Sequence, residues 1–266
     1  MSNLLKCTLA IMMAGTLMTS CKKNQAIQTN DEVSDAVKSQ VTAMGFSADG
    51  IQKANGGYLV EGDIFLSNDD LGKQTSSKSL VIANEEQYRT TNLVTGLPRT
   101  ITVSVSAGSP SYFFTAADEA IRRYNALGMR LSMTRVTGTA NINIVTFYQV
   151  SNTLGSSGFP DASGNPYNTI QMNTYWYSAS TNIGYLASIM AHEMGHCVGF
   201  RHTDYMNRQY SCGGRKYNEG AAGVGAIWIP GTPTGPDANS WMLACSNGSD
   251  RPFTANDQIA LNALYK

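Results

Sequence analysis

All three histidines of this 266-residue chain lie in one short run, "AHEMGHCVGFRHTD", residues 191–204. That crowding constrains the fold more than any other feature. Two histidines four apart on a helix project about 40° from each other, so His192 and His196 can reach one ion from a single face. Gly199 can take positive φ and end the helix, which lets the chain swing His202 back as a third ligand. Three neutral imidazoles leave a fourth tetrahedral position open, as in catalytic rather than structural zinc sites. Glu193 stands beside the first ligand without needing to bind the metal, the position of a carboxylate that takes a proton from water. Zinc suits the donor set best.

The remaining chain sets the frame. Charged residues make up 14%, with 19 basic and 19 acidic, against about 25% in ordinary soluble proteins. Such a loop-rich composition suits an exported protein, and the lack of a basic excess argues against nucleic-acid binding. Residues 1–20 read as an export signal: Lys6 at the basic start, an apolar run from Leu9 to Met18, then Thr19 and Ser20 before Cys21. This end resembles a bacterial lipobox, with Cys21 as the lipidated N-terminus and the lipid as the membrane anchor. Of the cysteines beyond it, Cys212 and Cys245 are expected to pair and Cys197 to stay buried and free.

Further along, Asp31 or Ser34 can cap a short helix, and "GGYLVEGDIFLS" alternates like a hairpin. "LGKQTSSKS" reads as a linker-like loop, and a domain boundary falls near "LVTGLPRT". The expected layout is a signal at 1–20, a propeptide and linker at 21–98, and a catalytic domain at 99–266. In that last part "TITVSVSA", "RLSMTRV", "ANINIVTFYQV" and "IQMN" read as strands. "TAADEAIRRYNALG" reads as a helix capped by Thr115, and "GSSGFPDASGNPYNT" as a long loop. "IGYLASIMAHEMGHCVGF" is a helix ending at Gly199, and "TANDQIALNALY" a helix capped by Thr254 with Asp257. The fold class is α/β (α+β), with a mixed twisted sheet, a metal-bearing helix and a C-terminal helix.

At HExxHxxGxxH, residues 192–202, the sequence resembles the metzincin clan of zinc endopeptidases. The resemblance implies a methionine in a turn below the metal, which "NSWMLAC" supplies as Met242. Within the clan, "HEMGHCVGFRHTD" with "GTPTGPDANSWMLAC" looks like the bacterial dual-action HEIGH metallopeptidases, over most of residues 50–266. The astacin-like tyrosine two residues after that methionine is here Ala244. "LVEGDIFLS" resembles the FxGD segment of astacin-type propeptides, with Val60 for the phenylalanine. The match implies that Asp63 blocks the metal until cleavage, for which Arg89 and Arg99 look exposed. Asp204 is a candidate to orient a ligand histidine.

The reading is thus an exported or lipid-anchored zymogen of a zinc endopeptidase. It would act as a monomer on polypeptides, with "SGFPDASGNPYNTIQMN" lining a cleft where substrate adds as a strand. The alternative is a surface lipoprotein that binds peptides or glycans at a zinc site without cutting. Calcium at "PDASGN" has no supporting spacing.

Overall fold

The computed structural model describes residues 32–71, 87–216, 218–219 and 224–266. The signal at 1–20, Cys21, Asp31 and most of "LGKQTSSKS" lie outside them. Residues 33–266 form one compact unit.

The unit begins with α1 (Asp35–Ala43), three short strands β1 (Gln52–Ala54), β2 (Gly57–Val60) and β3 (Ile64–Ser67), and the one-turn α2 (Asn68–Leu71). Ser34 caps α1, accepting from Val37 N. The β2–β3 turn takes Glu61 and Gly62 into left-handed backbone, φ 55° and 94°. A glutamate there costs energy that a glycine would not. This meander buries Val41, Phe46, Val60, Ile64 and Leu66 in a small core of its own, closed by Phe159 and Val224.

After β4 (Tyr88–Arg89) come β5 (Arg99–Val105), α3 (Ser111–Asn125), β6 (Leu131–Arg135), β7 (Ile142–Phe147), β8 (Gly155–Ser156), β9 (Thr169–Asn173), α4 (Ile183–Cys197), α5 (Gln209–Cys212), β10 (Ile227–Trp228) and α6 (Ala255–Tyr265). Five strands form one sheet in the order β6-β5-β7-β9-β8. All neighbours are parallel except the edge strand β8, which runs antiparallel to β9. A sheet of mostly parallel strands needs helices over its face. α3 and α4 pack against each other there, and Tyr124 donates to Ala191 O at 2.8 Å. Ile101, Val103, Ile142, Ile144, Ile170 and Met172 fill the space beneath them without exposure.

Three local expectations change. α3 starts at Ser111, behind Pro110, and Thr115 lies inside it rather than capping it. The extra turn buries Phe113 completely, and that burial outweighs a hydroxyl cap. Gly155 and Ser156, placed in a loop by their composition, form the sheet edge. Residues 87–98, grouped with the propeptide by sequence, are woven into the later half. Gln87 donates to Asp257 Oδ1 at 2.6 Å and to Ser240 Oγ at 3.2 Å, and Thr90 N donates to Gly199 O at 2.8 Å. Arg89 and Arg99 are both half-buried, Arg99 donating to Gly164 O at 2.9 Å, so neither is the exposed basic residue suggested above.

Candidate active site

The metal-ligand candidates start from α4. Asn182 caps it, accepting from Tyr185 N, and the helix runs through His192 and His196 to end at Cys197. Gly199, at φ 107°, then turns the chain, and a Cβ there would meet Leu93 at 2.7 Å. His202 folds back beneath the helix. All three imidazoles are buried.

Each Nδ1 has an acceptor. His192 Nδ1 lies 2.8 Å from Trp241 O, His196 Nδ1 2.8 Å from Phe200 O, and His202 Nδ1 2.8 Å from Glu219 Oε1. Carbonyl oxygens only accept, so Nδ1 of the first two rings donates and Nε2 is the nitrogen left to face a metal. Those Nε2 atoms converge. His196 and His202 Nε2 are 3.2 Å apart, and His192 Nε2 is buried and makes no hydrogen bond. Asp63 brings Oδ2 to 3.1 Å from His202 Nε2 and 3.4 Å from His192 Nε2. The four donor atoms lie within 4.8 Å of one another. Lone pairs packed this closely in a buried site repel unless a cation lies among them, so the residues present fit a zinc ion.

Glu193 is also buried. Ser157 Oγ donates to its Oε2 at 2.7 Å and lies 3.0 Å from its backbone carbonyl oxygen. Burial, then the nearby charge of Asp63, pushes its carboxyl well above the ordinary value. Met242 is fully buried under α4. A Cβ on Gly195 would lie 2.6 Å from its sulfur, so the glycine between the first two histidines is what lets this methionine approach the helix.

Asp204 does not touch a histidine. It accepts from Ala244 N at 2.9 Å and Ser211 Oγ at 2.6 Å, tying the loop after His202 to the turn after Met242. The Cys212–Cys245 disulfide reinforces the same tie, and Cys197 is free and buried. Orienting His202 falls instead to Glu219, which sequence reasoning missed, as it missed Ser157. Glu219 is fully enclosed beside Arg201, at 3.5 Å, and Arg208, at 3.2 Å. Arg201 also reaches Glu61 at 3.4 Å, and Arg208 donates to Glu61 O. Asp161, the calcium candidate, accepts from the backbone amides of Ser163 and Asn165 at 2.9 and 2.8 Å, an ordinary loop turn.

Three imidazoles, a shielded carboxylate beside them and a sheet edge next to it define a metal-dependent peptidase. The chain belongs to the dual-action HEIGH metallo-peptidases, whose family model matches residues 58–265. No curated protein matches it in sequence. Among solved structures it is similar to myroilysin, at 16% identity and a TM-score of 0.46, over 67% of this chain and 98% of that one. It is also similar to high choriolytic enzyme 1, a hatching enzyme zinc-protease from Oryzias latipes (medaka fish). That likeness has 14% identity and a TM-score of 0.40, over 62% of this chain and 88% of that one.

Proposed function

We propose that the chain is the latent precursor of an exported zinc endopeptidase, silenced by Asp63. The observation that carries this is the convergence of three histidine Nε2 atoms and the Asp63 carboxylate within 4.8 Å. His192, His196 and His202 would hold the ion. Zinc supplies polarisation of a substrate carbonyl and acidification of water. Glu193, which lines the cavity, takes the proton and passes it to the leaving amine, while Ser157 fixes one of its oxygens.

The backbone of the 63–65 segment follows the sheet edge. Ser157 N donates to Asp63 O at 3.0 Å and Phe65 N to Ser157 O at 2.7 Å, in a parallel bridge at Ile64. Such pairing uses main-chain groups that an extended substrate would also need. Asp63 and the edge are thus engaged together, and one departure frees both. Activation requires a cut before Gln87, because residues from 87 onward are built into the later half. The disulfide accords with export to an oxidising compartment. Lipidation of Cys21 would keep the enzyme at the cell surface, and mass analysis of the mature N-terminus checks that.

The test uses the full chain beside Glu193→Ala and Asp63→Ala, with zinc measured per chain and casein as substrate. We expect zinc in all three, cleavage by the unprocessed Asp63→Ala protein, and cleavage by the wild type only after processing. Loss of the general base lowers the rate by about 10²–10⁴-fold. An Asp63→Ala protein as silent as the unprocessed wild type removes the latency role. Zinc in all three with no cleavage leaves the peptide- or glycan-binding alternative.

A further inference from the structure

A cavity of ≈ 460 Å³ opens beside the metal centre, with His192 and Glu193 in its lining. Tyr185, Ile189 and Leu243 give it apolar walls, and Arg251 lines it too. Arg251 N donates to Ser188 Oγ at 2.7 Å. Ser188 is one helical turn before His192, about 6 Å along the axis. Arg251 thus lines the same cavity as His192 and Glu193, so a group held at its guanidinium shares that cavity with the scissile bond.

The guanidinium is under-used. Its Nη1 donates to Cys245 O at 3.0 Å, and its Nε is buried with no partner. Among the described residues no carboxylate lies within ion-pair distance of it. The carboxylates nearby are committed elsewhere. Asp250 is held by Arg123 at 2.9 and 3.2 Å and by Ser188 Oγ at 2.7 Å. Asp204 serves Ala244 and Ser211, and Asp257 caps α6 and accepts from Gln87. Burial holds the Arg251 guanidinium below its usual pKa, and the charges of Asp204 and Asp257 offset only part of that cost. A planar guanidinium with free N–H groups is matched to a carboxylate.

We propose that Arg251 is the specificity residue of this peptidase and selects a substrate carboxylate near the cleaved bond. The carboxylate comes from an aspartate or glutamate side chain or from a peptide C-terminus. The inference rests on the peptidase reading, and binding without cleavage separates the two.

The full zinc-loaded chain carrying Asp63→Ala and Glu193→Ala is titrated with blocked peptides differing only as Asp against Asn or Glu against Gln. Matched peptides with free and amidated C-termini form a second arm. A charge-assisted pair predicts about tenfold tighter binding of one acidic class. Discrimination falls to within about twofold in Arg251→Gln and persists in part in Arg251→Lys. That second variant, with thermal melts of each, covers a failure of Arg251→Gln to fold. Preference confined to free C-termini assigns the carboxylate to the chain end. Equal binding of acidic and neutral peptides, binding of neither, or a preference that survives Arg251→Gln overturns the proposal, the last because the metal would then be the receptor. Discrimination without casein cleavage by the Asp63→Ala protein keeps Arg251 and removes the peptidase step. Cleavage without discrimination does the reverse.

Discussion

The two sides of the metal centre are held by different means. On the α4 side, His192 and His196 are fixed by main-chain carbonyls of Trp241 and Phe200. No side-chain substitution deletes those acceptors, and their strength does not change with pH. On the other side, His202 is fixed by Glu219, and Glu219 stands in a buried cluster with Arg201, Arg208 and Glu61. That arrangement depends on several titratable groups at once, and the one on the segment that also carries Asp63, Glu61, is pushed well above the ordinary carboxyl value by burial and by the charge of Glu219. The first side is set by the path of the backbone, the second by a balance of charges.

The largest break in that comparison should come from Glu219→Ala. Removing one member of a buried ion cluster costs about 3–5 kcal/mol, and losing the orienting carboxylate weakens metal binding about 10–100-fold. Denaturant titration and metal competition measure the two. An unchanged metal affinity would show that His202 needs no help. Next comes replacement of both Cys212 and Cys245 by serine, which cuts the staple between the loop after His202 and the turn after Met242. With a sequence separation of 33, the loss is about 3–4 kcal/mol, seen as a lower denaturant midpoint.

Gly195→Ala probes the backbone side. Alanine is the better helix former, yet its Cβ would press on Met242 Sδ. The net expectation is a loss of about 1–3 kcal/mol, with a lower melting temperature. A gain would mean that Met242 has room to move. Smallest is Glu119→Gln, far from the metal. Hydrogen bonding from Arg122, against the cost of burial and with help from Arg123, pulls the Glu119 carboxyl down to about 2. A depressed value contributes stability above the unfolded pKa and loses it as pH falls through the folded one. The variant should differ by less than about 1 kcal/mol at neutral pH, with the gap closing between about pH 4.3 and about pH 2.

The same division governs what the sequence makes legible. The span of α4, its stop near Gly199 and the Thr254–Asp257 capping box on α6 are written in adjacent residues. Ser157 and Glu219 are not. Ser157 meets Glu193 across 36 positions, and Glu219 meets His202 from an irregular stretch with no motif. Asp204 attracts attention because it is near in sequence, but its side chain turns to Ser211 and Ala244. The edge strand β8 is invisible for a similar reason, since two small residues carry no alternation to read.

Asp63 is one of four donor atoms at a site whose other three belong to residues 192–202. An ion there is a chelate closed by two distant parts of one chain. Linkage is reciprocal: whatever factor the carboxylate adds to the affinity for the ion, the ion adds to the hold on the 33–71 segment. On the proposed latency, the full chain would be the better scavenger of scarce metal, and stripping the metal would loosen the segment before any bond is cut.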